Sequence, residues 1–494
     1  MRRLSSLILL IVFVAVGAGV YLVGVRPARS LPVVALNVSS GQVRLVGANG
    51  ERLFNAGEVA NPLPEHTFVR VEGAATLSLT GTTVRLAHDS RFAWAATAFR
   101  LDFGQFTVQR DATANRPLTI QTLAATVTLD PGTGSYTIFV GGDGLLNVGV
   151  LTGGATVQKG EAKAELREGQ GLTVPRTGSI GAPTAWPRLT FSAYGPDGRP
   201  AMLIAVLHDN PRRFRLQFLT GETVIVPPNP YRLYVDLARP YLLNLDLREG
   251  QTYQKAVTLA AVTGTGVVHG RLTGAEPLGP EQPVLIAPGR GRVVAATADK
   301  PLEVSFYAVE AATGSQTQLG DSAADPSGAV QVVLTGDDGQ PITGAPYRVY
   351  PINAEAGGPI AVLQAGRDIL RLPAGRYIVM AGASPAARAE VAIEKDKVTT
   401  VQVRYGATQT DMRDGEGKLS ASPILIANKG ATEGLRLNLL QMFGERYAAP
   451  YAVWVQNGER LTLPEGNYLI ATADNWGRAQ TLTVKAGETV VFRP

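Results

Sequence analysis

The sequence of 494 residues contains no cysteine. The fold therefore takes no stability from disulfide bonds, and the chain has neither thiol catalysis nor thiolate metal ligands. Histidine is also scarce, and its four copies are far apart, at His66, His88, His208 and His269. None lies in an H-E-x-x-H or H-x-H pattern, so we expect solvated or hydrogen-bonded histidines and no zinc site.

Charged residues make up only 18% of the chain, against 45% hydrophobic residues. This composition is too apolar for general disorder, and the length is enough for roughly three or four domains. The net charge of +5 is spread along the chain and forms no basic block. We therefore expect no nucleic-acid binding, and at most a weak attraction to anionic cell-wall polymers or lipid headgroups.

One uncharged apolar run, Leu4–Val25, has the length to cross a membrane, and no later segment does. As a helix it would span about 33 Å, close to the thickness of a bilayer core. A cleavable signal peptide with a cleavage site in Ala15–Ala18 is the alternative, but the run is long for one. We predict a signal anchor at 1–30, with Arg2 and Arg3 inside and the rest of this single-pass cell-membrane protein outside the cytoplasm.

Motifs that carry catalysis are absent. The sequence has no G-x-S-x-G elbow, no S-x-x-K serine and no phosphate-binding G-x-x-x-x-G-K-[ST] loop. Paired carboxylates occur at Asp337–Asp338 and within Asp411–Glu416, where Asp and Gly are typical of turns. The second group has oxygen ligands for loose calcium binding but lacks the EF-hand set. We predict no catalytic residue, no metal ligand and no cofactor.

Short alternating segments rich in Val, Thr, Leu and Tyr indicate an all-β chain. Thr76–Leu79 and Thr82–Leu86 alternate, with Gly81 between them as a turn. Only Glu161–Glu168 and Ala383–Ala389 are compatible with a helical turn or two. Strands at such short spacing are typical of sandwiches, barrels and solenoids.

Residues 38–178 carry an ordered set of motifs, at Gly41–Leu45, Gly81–Leu86, Leu101–Val108, Ile120–Thr122, Gly132–Ile138 and Glu168–Val174. In this order they resemble the FecR domain family. The resemblance implies an extracytoplasmic β-rich module with stacked strands at right angles. Regulators of that family place a cytoplasmic segment before the membrane to contact a sigma factor. Only a few residues precede the apolar run here, so direct sigma-factor control is not expected.

The part of the chain that follows residue 178 contains a degenerate repeat with the pattern L-P-x-G-x-Y. It occurs at Leu372–Val379 and Leu463–Ile470, with a looser copy at Val226–Leu233. Pro and Gly force a turn there, and the Tyr enters a strand. A G-x-D-G-x-P turn precedes two of the copies, at Gly195–Pro200 and Gly336–Pro341. The repeat resembles the small β-sandwiches of the carboxypeptidase-regulatory, PEGA and transthyretin-like type, which act as spacers or binding modules.

The expected order is an N-terminal transmembrane helix, a FecR-like stacked β domain at 38–178, and about three Ig-like or transthyretin-like sandwiches. We place the sandwiches at 188–262, 328–405 and 420–494. For residues 263–327 the sequence is compatible with two alternatives, a small sandwich or long insertions.

Three residues are candidate ligand contacts. In a strand, Arg213 and Arg215 share one face and Phe214 lies on the other, which predicts either a solvated face or a patch for anionic glycan or phospholipid. Trp476 lies in an expected turn, where an exposed ring stacks on a sugar or a partner domain, or a buried ring closes its own sandwich.

These features favour a non-catalytic binding or structural protein of the bacterial cell envelope, with envelope polysaccharide or envelope proteins as partners. A FecR-like sensor in envelope signalling is the alternative. A glycan-acting envelope enzyme comes third, since it would need two carboxylates about 5–10 Å apart across a groove.

Overall fold

A computed structural model describes most of the chain after residue 33. The described residues are 34–47, 50–63, 67–87, 90–95, 98–122, 124–141, 144–175, 178–209, 214–271, 274–336, 338–352, 359–381, 387–410, 435–443, 446–447, 451–455, 460–472 and 475–493. In these ranges every regular element is a strand, which confirms the all-β prediction. None of them contains a helix with the length and hydropathy to cross a membrane. The predicted anchor at 1–30 lies outside the described residues.

The first fifteen strands form one continuous sheet, which we call the N-terminal sheet. They are β1 (Ala35–Gly47), β2 (Gly50–Asn55), β3 (Val59–Ala60), β4 (Thr67–Leu79), β5 (Thr82–Leu86), β6 (Arg91–Ala95), β7 (Ala98–Arg110), β8 (Leu118–Gln121), β9 (Thr126–Leu129), β10 (Gly134–Val140), β11 (Leu146–Thr152), β12 (Ala155–Lys159), β13 (Ala162–Leu166), β14 (Gln170–Val174) and β15 (Thr184–Ala185).

The N-terminal sheet closes on a core because its long strands change partners along their length. The first half of β7 pairs with β6, and the second half, from Gly104 onward, pairs with β5 and β10. Inward residues such as Phe92, Phe99 and Phe106 meet edge to face, with ring centroids 5.4–6.0 Å apart. The alternating segments of the sequence thus line one shared core.

Twenty-nine further strands follow. Unit one contains β16 (Arg188–Tyr194), β17 (Ile204–Asp209), β18 (Arg215–Leu219), β19 (Thr223–Ile225), β20 (Asn229–Val235), β21 (Tyr241–Leu247) and β22 (Thr252–Thr258). Unit two contains β23 (Ala260–Thr263), β24 (Gly266–Arg271), β25 (Gly274–Leu278), β26 (Val284–Ile286), β27 (Gly289–Ala296), β28 (Val304–Ala311) and β29 (Gln316–Gln318).

Unit three contains β30 (Gly328–Thr335), β31 (Pro341–Ile342), β32 (Pro346–Pro351), β33 (Ala361–Gln364), β34 (Ile369–Leu372), β35 (Gly375–Ala381), β36 (Ala387–Ile393) and the first part of β37 (Val398–Thr410). Unit four contains the end of β37 with β38 (Leu435–Phe443), β39 (Arg446–Tyr447), β40 (Tyr451–Val455), β41 (Arg460–Pro464), β42 (Gly466–Thr472), β43 (Asn475–Val484) and β44 (Thr489–Phe492).

All four units share one strand order, which we describe with letters A to G. Strand A pairs antiparallel with D and parallel with G, while C, B, E and F form a second sheet in that order. Strand A is β16, β23, β30 and the end of β37 in turn, and strand E is β20, β27, β35 and β42. Each pair of sheets encloses its own hydrophobic core, as expected of a β-sandwich.

Most of a further copy of this arrangement lies in the segment that the sequence left open, and its strand A, β23, begins within the range predicted for the first sandwich. Strands β23 to β29 repeat the A-to-G order of unit one, with parallel pairing of Ala261 with Gln316 at the A–G contact. The L-P-x-G-x-Y pattern is degraded in this copy, and the sequence therefore gave no repeat signal there.

The tyrosine of the repeat has the same role in three units. Its ring is buried at the start of strand E, and its hydroxyl donates a hydrogen bond to the carbonyl of the proline four residues before it. The three contacts are Tyr231 to Pro227 at 2.8 Å, Tyr377 to Pro373 at 2.7 Å, and Tyr468 to Pro464 at 2.6 Å. The predicted turn and strand are confirmed, and the hydrogen bond fixes the D–E corner of each sandwich.

The G-x-D-G-x-P turns also agree with the prediction. The Gly195 amide donates to the Arg199 carbonyl at 2.8 Å, and the Gly336 amide donates to the Gln340 carbonyl at 2.8 Å. Both turns follow strand A of their unit, so the same sequence pattern begins units one and three.

Two local predictions were wrong. The first segment with some helical character lies largely in strand β13, and the described end of the second, residues 387–389, lies in strand β36, because each strand pairs across a hairpin with its predecessor. Residues 383–386 of the second segment lie outside the described residues. Trp476 is the second residue of strand β43 and does not lie in a turn. The carboxylate group Asp411–Glu416 lies outside the described residues.

Candidate functional site

A cleft of about 240 Å³, lined by both polar and apolar side chains, lies between the N-terminal sheet and unit one. Strands β5, β7, β10 and β11 form one wall, and β19 with the residue before it forms the other. The lining residues are Arg85, Thr107, Gln109, Ser135, Thr137, Leu151, Glu222, Thr223, Val224 and Ile225.

The polar wall results from cross-strand pairing. Arg85 lies opposite Thr107 across β5 and β7, and Thr107 lies opposite Thr137 across β7 and β10. Side chains at directly opposed positions project from the same face of a sheet. Because β7 alternates, Phe106 and Val108 face the core while Thr107 and its polar neighbours face the cleft.

Hydroxyl and amide groups continue this row. Gln109 lies opposite Ser135, and its Nε2 donates to the Ser135 Oγ at 2.8 Å. On the other wall, the Thr223 Oγ1 lies 2.7 Å from the Thr190 Oγ1. The cleft therefore offers neutral donors and acceptors, with Val224 as part of its apolar base.

An ion pair crosses the cleft between the two walls. Arg85 Nη1 donates to Glu222 Oε1, and the two side chains are 29% and 30% exposed. Partial exposure weakens such a pair through solvent screening, so we assign it an orienting role and little stability. Glu222 is the only acidic residue in the lining, and its second oxygen accepts from the Leu219 amide at 3.1 Å.

A buried glutamine next to the cleft residue Thr107 links the N-terminal sheet to strand β18 of unit one. Gln105 Nε2 donates to the Gln217 carbonyl at 2.6 Å, and the Gln217 amide donates back to Gln105 Oε1 at 2.6 Å. Gln105 Nε2 also donates to the Thr107 Oγ1 at 2.7 Å. Because its oxygen and nitrogen are both satisfied, this buried amide fixes the position of the Thr107 hydroxyl in the cleft.

Apolar contacts seal the remainder of the junction. Phe139 of the N-terminal sheet meets Phe214 with ring centroids 5.0 Å apart. Trp186 is only 4% exposed and lies flat on Gly171, where an added Cβ would come within 2.0 Å of the Trp186 Cδ2. The cleft is therefore held by a packed joint, which favours a preformed shape.

The residues predicted from sequence as ligand contacts do not meet in this cleft. Arg215 lies in β18 opposite His208, half-buried, and Phe214 and Leu216 beside it are buried, which confirms the predicted alternation. Arg213 and the side chain of Trp476 lie outside the described residues, and the Trp476 backbone belongs to unit four.

Sequence reasoning did not identify Arg85 and Glu222 as partners. They are 137 positions apart and belong to different sheets. The available signal was local: an Arg at the solvent-facing position of a strand that the alternating pattern already predicted.

No cluster of three or more metal-ligating side chains occurs among the residues that the structure describes. His269 is 8% exposed, and burial lowers the pKa of its imidazole. The cleft lining contains no histidine and no pair of carboxylates. Its groups can bind a neutral polar ligand, but they do not form a nucleophile–base pair or an acid–base pair.

No known protein family and no curated protein matches the sequence. Among solved structures, the chain is similar to a proposed anti-sigma factor from Parabacteroides distasonis, with 18% identity and a TM-score of 0.20. That match covers 30% of this chain and 57% of the other, so the chain spans little more than half of that protein.

Two other solved structures are similar over longer stretches. The Streptococcal ancillary pilin matches at 9% identity and a TM-score of 0.18, covering 62% of this chain and 98% of the pilin. The Bacillus anthracis TIE protein matches at 9% identity and a TM-score of 0.14, covering 94% and 69%. Likenesses at these TM-scores define neither a fold nor a function for this chain.

Proposed function

We propose that this protein is a membrane-anchored, extracytoplasmic, non-catalytic binding and structural protein of the bacterial cell envelope. In this proposal the Leu4–Val25 run is the anchor, the N-terminal sheet is a FecR-like module, and the four units are transthyretin-like spacers. The observation that carries it is the series of sandwiches with one strand order, because a chain of stacked units is suited to presenting a surface at a distance.

The proposed ligand is a segment of envelope polysaccharide that binds in the cleft. The lining combines threonine, serine and glutamine groups with an apolar base, which suits the hydroxyls and the carbon skeleton of a sugar. The cleft volume of about 240 Å³ lies just below the roughly 300–1,000 Å³ typical of sites for whole small molecules. It therefore suits one residue of a polymer whose remainder lies in solvent.

A cleft-filling substitution tests the ligand site. Thr223 is exposed on β19, and we expect Thr223→Trp to lower retention of the full-length protein on isolated cell-wall polysaccharide by about tenfold, equivalent to about 1.4 kcal/mol. The matched control is Thr252→Trp, an exposed position on β22 in the same sheet but outside the cleft. The measurement is co-sedimentation of detergent-solubilised protein with the insoluble polymer.

Equal retention of both variants would remove the cleft from the proposal. Absence of retention for the unaltered protein, together with no partner recovered from isolated envelopes, would overturn the binding function itself.

Cell fractionation tests the anchor. We expect the full-length protein in the membrane fraction, released by detergent but not by high salt, because an uncharged run of this length partitions into lipid. Full-length protein in the cytosol of fractionated cells contradicts the proposed location. Replacement of Val14 by Lys within the run should shift protein out of the membrane fraction.

A further inference from the structure

Unit two lacks the tyrosine that fixes the D–E corner of the other three units. The equivalent position, two residues into strand E, is Gly291, and the residue four positions earlier is Ala287 instead of proline. The register confirms the equivalence: Gly291 pairs with Val309 on strand F, as Tyr231 pairs with Leu245. Unit two therefore has neither a ring nor a hydroxyl of its own at this corner.

An arginine from unit one occupies that space. Arg239 lies in the connection between β20 and β21, and its side chain enters the corner of unit two over Gly291. A Cβ added to Gly291 would lie 2.6 Å from the Arg239 Cδ, which is therefore where a side chain of residue 291 would begin. Arg239 is only 8% exposed.

The arginine donates to the carbonyl that is equivalent in position to the one that accepts from the corner tyrosine in the other units. Its Nε donates to the Ala287 carbonyl at 3.0 Å, and its Nη2 donates to the same oxygen. Its Nη1 donates to the Val309 carbonyl at 3.0 Å. Ala287 is the counterpart of the prolines whose carbonyls accept from Tyr231 and Tyr377. The acceptor therefore has the same position in each unit, whereas the donor here is an arginine of the preceding unit.

The neighbouring backbone adapts to this insertion. The Ala287 amide donates to the Arg239 carbonyl at 2.9 Å, which closes a two-way contact. Ala238 is buried in the core of unit two, although it belongs to a connection of unit one. Gly270, at φ +107°, leaves room for the Ala238 carbonyl, which would lie 2.5 Å from a Cβ at that position.

We infer that Arg239 is a built-in staple: it replaces the missing corner tyrosine of unit two and makes units one and two a single cooperative folding unit. The surface of unit two around Ala287 and Gly291 is thus an internal docking site, and its partner is the Leu237–Arg239 segment of the preceding unit. This inference is independent of the proposed ligand and of the anchor.

Charge supports the assignment. A buried guanidinium is costly unless its donors are satisfied, and burial lowers the pKa of Arg239. Its donors bind carbonyl oxygens of unit two, so the cost is offset only while the two units are in contact. If the units separated, Arg239 would return to water and the Ala287 carbonyl would lose its partner.

The experiment compares hydrogen exchange of four full-length proteins: unaltered, Arg239→Ala, Gly291→Tyr and the double variant. We expect Arg239→Ala to accelerate exchange in β24 and β27 about 100-fold, because buried carbonyls lose their donors, with a smaller change in unit one. Gly291→Tyr alone should also accelerate it, since the ring and Arg239 compete for one space. The double variant should regain protection in unit two, because the tyrosine restores the corner found in the other units.

Arg232→Ala is the matched control, since Arg232 is an exposed arginine on β20 of the same unit. Exchange in unit two that is equal in Arg239→Ala and Arg232→Ala would overturn the staple. So would a double variant in which the two defects simply add. If Arg239→Ala does not fold, the double variant decides: a folded, protected unit two supports the inference, and an unfolded one contradicts it.

Discussion

Raising the pH from about 10 to about 12 is expected to destabilise the sandwich units steeply. Burial raises the pKa of Tyr377 to about 12 and that of Tyr405 to about 12, and it also raises the pKa of Tyr231, Tyr347 and Tyr468. A phenol whose pKa is higher in the folded state holds its proton there after the unfolded chain has released it. Its stabilising contribution is complete below about pH 10 and is lost as the pH rises through the folded value.

For Tyr377 the loss amounts to about 3 kcal/mol, since each unit of pKa difference corresponds to about 1.4 kcal/mol. Several buried tyrosines act in the same direction, so the total is expected to exceed the stability of a single unit. The measurement is denaturant unfolding of the full chain at stepped pH, followed by far-ultraviolet circular dichroism.

Tyr377→Phe provides the sharpest comparison. The substitution removes the hydrogen bond to the Pro373 carbonyl and should lower the free energy of unfolding by about 1 kcal/mol at neutral pH. It also removes one titrating group, so the free energy of unfolding should decrease less steeply above pH 10. Tyr253→Phe, at a half-buried tyrosine on β22, is the control. If Tyr377→Phe and the unaltered chain show parallel pH dependence, the corner tyrosine does not carry the effect.

We expect the second large loss of stability from a substitution at the packed joint between the N-terminal sheet and unit one. Gly171→Ala puts a methyl group within 2.0–2.4 Å of three ring atoms of Trp186, which is buried. Overpacking of this kind costs about 3 kcal/mol, and here it should expel the ring and open the junction between the N-terminal sheet and unit one. The measurements are chemical unfolding and the tryptophan emission maximum, which should shift to the red.

A double-mutant cycle separates this clash from general damage. Trp186→Ala alone should cost about 4 kcal/mol, as expected for a buried tryptophan. Once the ring is absent, Gly171→Ala should add almost nothing, because the atoms that it strikes are gone. Additive costs in the double variant would show that Gly171 acts by another route.

The joint also connects stability with the proposed function. Arg85 and Glu222 come from opposite walls, and Gln105 links the joint to the Thr107 hydroxyl in the cleft. Opening the junction should therefore reduce polysaccharide retention in Gly171→Ala as well as in Thr223→Trp, although only the first variant should lose stability. That pairing separates a damaged fold from a blocked cleft.

Local sequence rules were sufficient wherever side chains interact with their chain neighbours. Alternation with period two placed Phe214 on the buried face beside Arg215, and the repeat with its proline and Tyr predicted the D–E corners of three units. The G-x-D-G-x-P pattern predicted two turns that close on their own backbone. Each of these depends on contacts a few residues apart, which a strand or a turn fixes by itself.

The same rules failed where a contact joins distant segments. Residues 263–327 carried no repeat signal because Gly291 replaces the tyrosine, and its substitute, Arg239, comes from the previous unit. The prediction of a turn at Trp476 failed for a related reason, since pairing with β42 extends strand β43 over that residue.

The all-β character of the chain, its alternating faces, its main turns and three of the four sandwich corners can be predicted from the sequence, because they follow from the backbone and from near neighbours. Three features became visible only in the folded chain: the strand order shared by the four units, the cleft between the N-terminal sheet and unit one, and the arginine that completes unit two. Those features depend on which strands pair across long sequence separations. Such pairing is stabilised by contacts throughout the folded chain, so no short segment predicts it.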